Sequence, residues 1–260
     1  MKKLEMLRLS FILFLVLFFS CSKSRDIKQF GDLHGKKFGV KSGTIIDEIT
    51  FQIFPRAKMK YYPQDKIETM LVDLKKRRID TIIDDLPVLQ TIVINNEHVR
   101  ILYPLISIEN YALATRLNNV LLKDQMDIVI YELQTNGTFE EMMARWFPEN
   151  GVYGEMPVFN LKPGIRTLRF GTSPTVEPFA FLDQNNNLVG LDIEIAHHIA
   201  KKFRMELDIR YYPFNNLVTE LENNNVDFIG ACLTITSNRQ ERILFSTPYY
   251  KGGVAALIRN

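Results

Sequence analysis

The chain has 260 residues, of which 46% are hydrophobic and 24% charged, with a formal net charge of +2. That composition describes a globular protein large enough for one big domain or two ordinary lobes, and it excludes a disordered chain. The near-balanced charge leaves no electrostatic footprint for nucleic acid, and LKKRR at residues 74–78 reads as the solvated end of an amphipathic helix.

At the N-terminus, Lys2, Lys3 and Arg8 precede FILFLVLFFS at 11–20, an apolar run too short to span a bilayer as a stable helix. This is the pattern of an export signal. The run ends FFSC, and a small residue directly before Cys21 resembles the lipobox of bacterial lipoproteins. An ordinary signal peptide followed by a free cysteine is the competing reading, but no A-x-A-like site precedes a mature start. We therefore expect a signal peptide over 1–20, lipidation of Cys21 after cleavage, and a polar tether over 21–30. The protein would then be anchored rather than spanning and would face an extracytoplasmic space. Cys232 is the only other cysteine, so with Cys21 lipidated no intramolecular disulfide can form.

After the tether the chain alternates. KKFGV is a strand, a helix follows from Thr44, KMKYY is a strand, and a second helix runs from Gln64. In RRIDTIIDDLP at 77–87, a buried strand ends in the carboxylates Asp84 and Asp85 before a helix opening at Pro87; VRILY is the next strand. Two helical stretches, 120–133 and 139–147, are split by NGT, where Gly137 suits a left-handed turn and a helical hairpin. The Pro-rich segment 147–164 reads as a linker. Beyond it come the strand RTLRFGT, the hairpin-like FAFLDQNNNLVGLD, a helix over 192–203, the strand ELDIRYY, a helix near 215–222, and the strand VDFIGACL. Residues 59–87 and 209–234 share one order: strand, YYP, amphipathic helix, then a strand opening with Ile-Asp or Val-Asp. Each is half of a β-α-β unit, so the chain is α/β and holds two similar lobes.

GTSPTVEPFAFLDQNNNLVGLDIEIAHHIAKKF, followed by VDFIGACLTITSNRQERILFSTPYY, resembles the opening lobe of bacterial extracellular solute-binding proteins of family 3, the polar amino-acid receptors of ABC importers. DLHGKKFGVKSGT, IDTIIDDLP, YALATR and NGTFEEMMARWF resemble that family's second lobe and closing helices. The resemblance implies a periplasmic-binding-protein type II fold: two α/β lobes with a ligand cleft at the hinge. The lobe order, however, is exchanged relative to the family. A circular permutant would carry the second-lobe equivalent over 31–110 and the first-lobe equivalent over 111–260, including closing helices over 119–148 and a linker over 149–165. Permutation is tolerated where old termini lie close together on the surface. A fragment of a tandem pair of receptors is the alternative, against which stand the signal and lipobox directly before the first lobe.

The resemblance also implies roles. In open α/β sheets ligands lie beyond the carboxyl ends of strands. Asp85 matches the position whose carboxylate takes the ligand's α-ammonium; Asp84 is open between that role and capping of the following helix. Arg239 matches the arginine that grips the α-carboxylate, for which its planar fork is suited. Thr234 offers a hydroxyl and amide to the same carboxylate, the Cys232 carbonyl would accept from the ammonium, and amides around Thr44 and Ile45 would complete the anion site from the other lobe. Lys41 matches a position that in some members reaches the ligand side chain, although a loop lysine is usually just solvated. Phe214 retains an aromatic position of the pocket, whereas Val176 and Ser173 replace an aromatic and an acidic residue common in the family. The expected partners are a small amino-acid-like ligand, an ABC importer permease, and a bacterial membrane on its periplasmic face reached through Cys21; no cofactor, metal or nucleic acid is implied, and a monomer is expected. Glu177 is the one candidate general acid for a dehydratase of the same fold, and a sensory lipoprotein acting through a protein partner is the third reading. His197 and His198 read as a helix face and Trp146 as an anchor of the closing helix.

Overall fold

The computed structural model describes residues 26–160 and 166–260. The export signal, the lipobox with Cys21, the first part of the tether and linker residues 161–165 lie outside the described residues. In chain order the first elements are β1 (Lys37–Lys41), α1 (Ile45–Ile53), β2 (Lys58–Tyr62), α2 (Ile67–Lys75), β3 (Thr81–Asp85), α3 (Leu86–Ile94), β4 (Val99–Tyr111), β5 (Ala114–Arg116), α4 (Val120–Thr135) and α5 (Thr138–Trp146). They are followed by β6 (Thr167–Thr172), β7 (Thr175–Val176), β8 (Ala180–Leu182), β9 (Leu188–Val189), α6 (Leu191–Lys202), β10 (Glu206–Tyr211), α7 (Leu217–Glu222), β11 (Phe228–Ile229), α8 (Ser237–Gln240), β12 (Ile243–Phe245) and β13 (Tyr250–Arg259).

These elements build two α/β lobes. The first has the sheet order β2-β1-β3-β13-β4 and the second β10-β6-β11-β5-β12, with β7, β8 and β9 as a small separate sheet. In each lobe three parallel strands are followed by antiparallel ones: β13 pairs antiparallel with β3 and β4, and β5 with β11 and β12. Two stretches cross between the lobes, one joining β4 to β5 and one joining β12 to β13.

The first sheet is covered on both faces, which explains its near-continuous apolar strands. Alternate residues of β13 enter opposite cores: Val254, Ala256 and Ile258 pack with Phe38, Ile46 and Phe54, while Ala255 and Leu257 pack with Met70, Leu74 and Leu89. Ile83 and Ile82 of β3 divide in the same way. The second lobe has one larger core around Phe170, Phe228, Ile193 and Trp146.

The extent of the second lobe differs from the expected 111–260: β13 belongs to the first sheet. A strand buried on both faces shows no polar alternation, so GGVAALIR carries no local sign of the sheet it joins. The closing helices pack on the second lobe as a hairpin with Gly137 at φ 86°. Trp146 is buried and donates from Nε1 to Glu194 Oε2 at 2.6 Å, and Arg145 Nη1 reaches both Glu194 oxygens at 2.7 and 2.8 Å. His197 and His198 lie under the linker, whose Phe159 ring stacks on His197 at 4.7 Å.

Candidate ligand cleft

β1 and β3 end side by side, so Lys41, Asp84 and Asp85 share one carboxyl edge of the first sheet. From the second lobe the loop after β11 and the start of α8 bring Cys232, Thr234 and Arg239 against that edge. Together with Thr44, Ile45, Val176 and Phe214 these residues line one cleft, joined by Ile46, Gln64, Val88 and Ala231. Between their side chains the cleft leaves about 20 Å³, room for a single water molecule.

The carboxylates are arranged differently from a simple helix cap. Asp84 is buried, its Oδ1 accepts the Asp85 amide at 2.9 Å, and Lys41 Nζ stands 2.8 Å from its Oδ2 as an ion pair without hydrogen-bond alignment. Lys41 is only 4% exposed, which corrects the picture of a solvated loop lysine: it closes β1 and is held by Asp84. The cap position of α3 falls on Asp85, whose side chain bonds no helix amide and instead accepts from Tyr111 Oη at 2.7 Å. Burial, reinforced by the neighbouring Asp84, pushes the Asp85 carboxyl up to about 7 against the opposing pull of the Tyr111 hydroxyl, Lys41 and Arg239.

On the other side, Thr236 caps α8 by accepting the Arg239 amide at 3.2 Å. The Arg239 guanidinium donates from Nη1 to the Thr234 carbonyl at 2.9 Å and lies 5.6 Å from the Phe214 ring centre, a cation–π arrangement that desolvates it without removing its donors. Burial lowers it to about 10, with Asp85 opposing. Cys232 has φ 54°, and its amide donates to the buried Asp192 Oδ2 at 2.9 Å; Asp192 Oδ1 accepts from Tyr249 at 2.5 Å. Burial pushes the Asp192 carboxyl up to about 7 and holds the Cys232 thiol well above its ordinary value, so Cys232 is a small buried group and not a nucleophile.

Gly43, at φ 76°, makes the turn between β1 and α1, and a Cβ on it would stand 3.2 Å from Asn215 Cβ of the other lobe. Thr44 is the residue before α1; its hydroxyl donates back to the Lys41 carbonyl at 3.1 Å, so the amides of the first turn keep their orphan character. Val176 is buried in β7 and lines the cleft. Ser173 is also buried, but it pairs with Thr175 at 3.0 Å and is absent from the lining, which corrects its expected place in the pocket. Gln64, Asp84 and Tyr111 were not chosen as ligand groups from the sequence. The signal for Asp84 was its place beside Asp85 at the strand end; the Tyr111 contact joins residues 26 positions apart and has no local pattern.

A neighbouring cavity of about 450 Å³ shares Lys41, Gln64 and Val88 with the cleft and adds Asp65, Glu68 and Glu177. Glu177 therefore stands beside the cleft and not in it. Among the described residues no cluster of three metal-ligating side chains occurs, and no helix is long and apolar enough to cross a membrane.

Residues 168–260 match the family model of bacterial extracellular solute-binding proteins, family 3. The arginine-binding extracellular protein ArtP of Bacillus subtilis (strain 168) is 36% identical over 87 residues, 34% of this chain and 34% of that protein. The ABC transporter arginine-binding protein 1 of Escherichia coli (strain K12) is 29% identical over 92 residues, 35% of this chain and 38% of that protein. The solved structure of an ancestral arginine-binding protein bound to arginine is 39% identical over a region covering 32% of this chain and 37% of that one, with a TM-score of 0.32. The matches span about a third of the length of these curated relatives. The similarity to bacterial extracellular solute-binding proteins of family 3 thus covers residues 168–260 of the chain.

Proposed function

We propose that the protein is an extracytoplasmic solute-binding protein, anchored through lipid on Cys21, that captures an amino acid or similar small zwitterion and delivers it as a monomer to an ABC importer permease. The observation that carries this reading is the pairing of Asp85 and Arg239 from opposite lobes across one cleft. A carboxylate and a guanidinium in that relation match the ammonium and carboxylate of an α-amino acid. Thr234, the Cys232 carbonyl and the first amides of α1 around Thr44 and Ile45 would complete the zwitterion site, with Phe214 covering the ligand and Val176 leaving one face less aromatic.

A space of about 20 Å³ holds no amino acid, so the described arrangement is a closed one and the ligand enters as the lobes part. The larger cavity beyond Lys41 and Gln64 would take a long side chain; the arginine-binding relatives make L-arginine the first solute to try. Two antiparallel strands shared across the hinge support the circular permutation, since each lobe is completed by a strand that follows a crossing. The lipid anchor rests on the sequence of residues 1–21 alone.

The deciding experiment is a thermal-shift panel of the purified protein against the common amino acids. At a hundredfold excess over the dissociation constant, a ligand stabilises by about 2.7 kcal/mol. Stabilisation by one amino-acid class that disappears in Arg239→Ala supports the reading; an unchanged shift in that variant refutes the site, and a flat panel refutes amino-acid capture.

A further inference from the structure

Tyr111 stands where the first crossing leaves the first lobe, and it is fully buried. Its backbone joins three parts of the molecule. It pairs with Tyr250 of β13, forms a bridge with Thr234, and its carbonyl accepts the Tyr249 amide at 3.1 Å. The flanking residues extend the same seam: the Ala112 amide donates to the Leu233 carbonyl at 3.1 Å, and the Ile235 amide to the Asn110 carbonyl at 3.0 Å. The hinge and the loop carrying Thr234 are therefore one hydrogen-bonded unit.

The side chain is as constrained as the backbone. Its ring lies 5.9 Å from Tyr250 in a stack and 5.8 Å from Phe179 edge-on. Gly252 leaves the space the ring fills: a Cβ there would stand 2.6 Å from Tyr111 Cε2. The hydroxyl donates to Asp85 Oδ1 at 2.7 Å. Burial keeps the phenol protonated far above neutral pH, so the hydroxyl stays a donor to Asp85.

We infer that Tyr111 is a positioning residue: its hydroxyl holds Asp85 in the ionised, fixed orientation that receives a ligand ammonium, and it ties that carboxylate to the hinge about which the lobes turn. This rests on the proposed reading of the cleft. The Tyr111 bond leaves Oδ2 as the carboxylate oxygen it does not engage. The charged groups acting on Asp85 are Asp84 from β3, Lys41 from β1 and Arg239 from α8, with the Cys232 thiol facing from the loop after β11. Among the described residues Tyr111 is the one hydrogen-bond donor to the Asp85 side chain, so its removal acts on orientation and ionisation together.

The test is Tyr111→Phe in the purified protein, with two readouts. Carbon-13 carboxyl titration, assigned with Asp85→Asn, follows the Asp85 midpoint without any ligand. Loss of a hydrogen bond to the charged form raises the midpoint by about one unit. Affinity for L-arginine, used as the probe, then weakens about ninefold at pH 6 and hardly at all at pH 9, because the ionised fraction converges once both proteins are deprotonated. Gly252→Ala keeps the hydroxyl and displaces the ring, and the same upward shift is expected from it. Tyr250→Phe keeps the stack and should leave the midpoint unchanged. An Asp85 midpoint in Tyr111→Phe equal to that of the wild type overturns the inference. Unchanged arginine binding in Asp85→Asn overturns the proposed cleft instead, while the ligand-free titration still decides the role of Tyr111.

Discussion

Replacing Asp85 with asparagine should make the ligand-free protein more stable at alkaline pH while removing its ligand response. The Asp85 carboxyl sits at about 7 in the folded protein against an ordinary 3.8. Ionising it in the cleft is thus harder than in the unfolded chain by roughly three units, or up to about 4 kcal/mol. Asp85 lines a cleft that water can reach, so about half of that, ~2 kcal/mol, is the expected figure. A folded-state pKa above the unfolded one means that the folded chain holds the proton more tightly. The associated stability is full below about pH 4 and is lost as the pH rises through about 7. Asparagine is neutral throughout and can still accept from Tyr111. Asp85→Asn should therefore match the wild type near pH 4 and exceed it at pH 8 by ~2 kcal/mol, which is about 4–8 °C in melting temperature for a chain of this size. Calorimetry at the two pH values reads this directly. A variant that melts at or below the wild type at pH 8, or with the same gap at both pH values, would refute the argument that Asp85 is held at a cost.

Arg239→Lys keeps the charge but cannot donate to the Thr234 carbonyl, lie over Phe214 and present a planar fork at once; affinity for the zwitterion should fall about 10- to 100-fold by titration calorimetry, and an unchanged constant would remove Arg239 from the carboxylate site. Gly43→Ala and Gly137→Ala both place an alanine at positive φ, at 76° and 86°, but only the first puts a Cβ 3.2 Å from the opposite lobe while the second meets nothing within 4 Å. Both should lose about 1–2 kcal/mol in urea unfolding, and only Gly43→Ala should weaken ligand binding further; equal affinities in the two variants would count against closure at Gly43.

Most elements were legible because their signals are local. The period-2 and 3.6 patterns located the strands and helices of both lobes, and NGT marked the helical hairpin whose Gly137 is left-handed. Nine of the ten ligand-group candidates line one cleft, Ser173 being the exception, since the family motifs sit at strand ends that the sheet order brings together. What escaped reading depends on contacts distant in sequence. Lys41 looked like a loop residue until β3 set Asp84 beside it, and Tyr111 looked like one more hinge-strand aromatic until the fold brought it over Asp85. The first follows from β1 and β3 being neighbours and the second from β13 lying between β3 and β4, and a pattern along the chain encodes neither.

The same reasoning applies to β13. In the first sheet β13 lies between β3 and β4, bonded to both, and Val254, Ala255, Ala256, Leu257 and Ile258 are each no more than 1% exposed. Removing residues 255–260 deletes two apolar faces and a central ladder. Fully burying a large aliphatic side chain is worth about 1.5–3 kcal/mol, and Leu257 and Ile258 alone approach half the total stability of a typical domain, ~5–15 kcal/mol. The Arg259 guanidinium, which donates to the Leu74 and Ile79 carbonyls at 2.7 and 3.0 Å, is lost with them. The deletion should therefore abolish cooperative unfolding of the first lobe in a urea titration followed by circular dichroism, while the second lobe, whose sheet contains no residue of β13, retains a transition. A truncated protein that melts as one unit near the wild-type midpoint would show that the first lobe does not depend on its fourth strand.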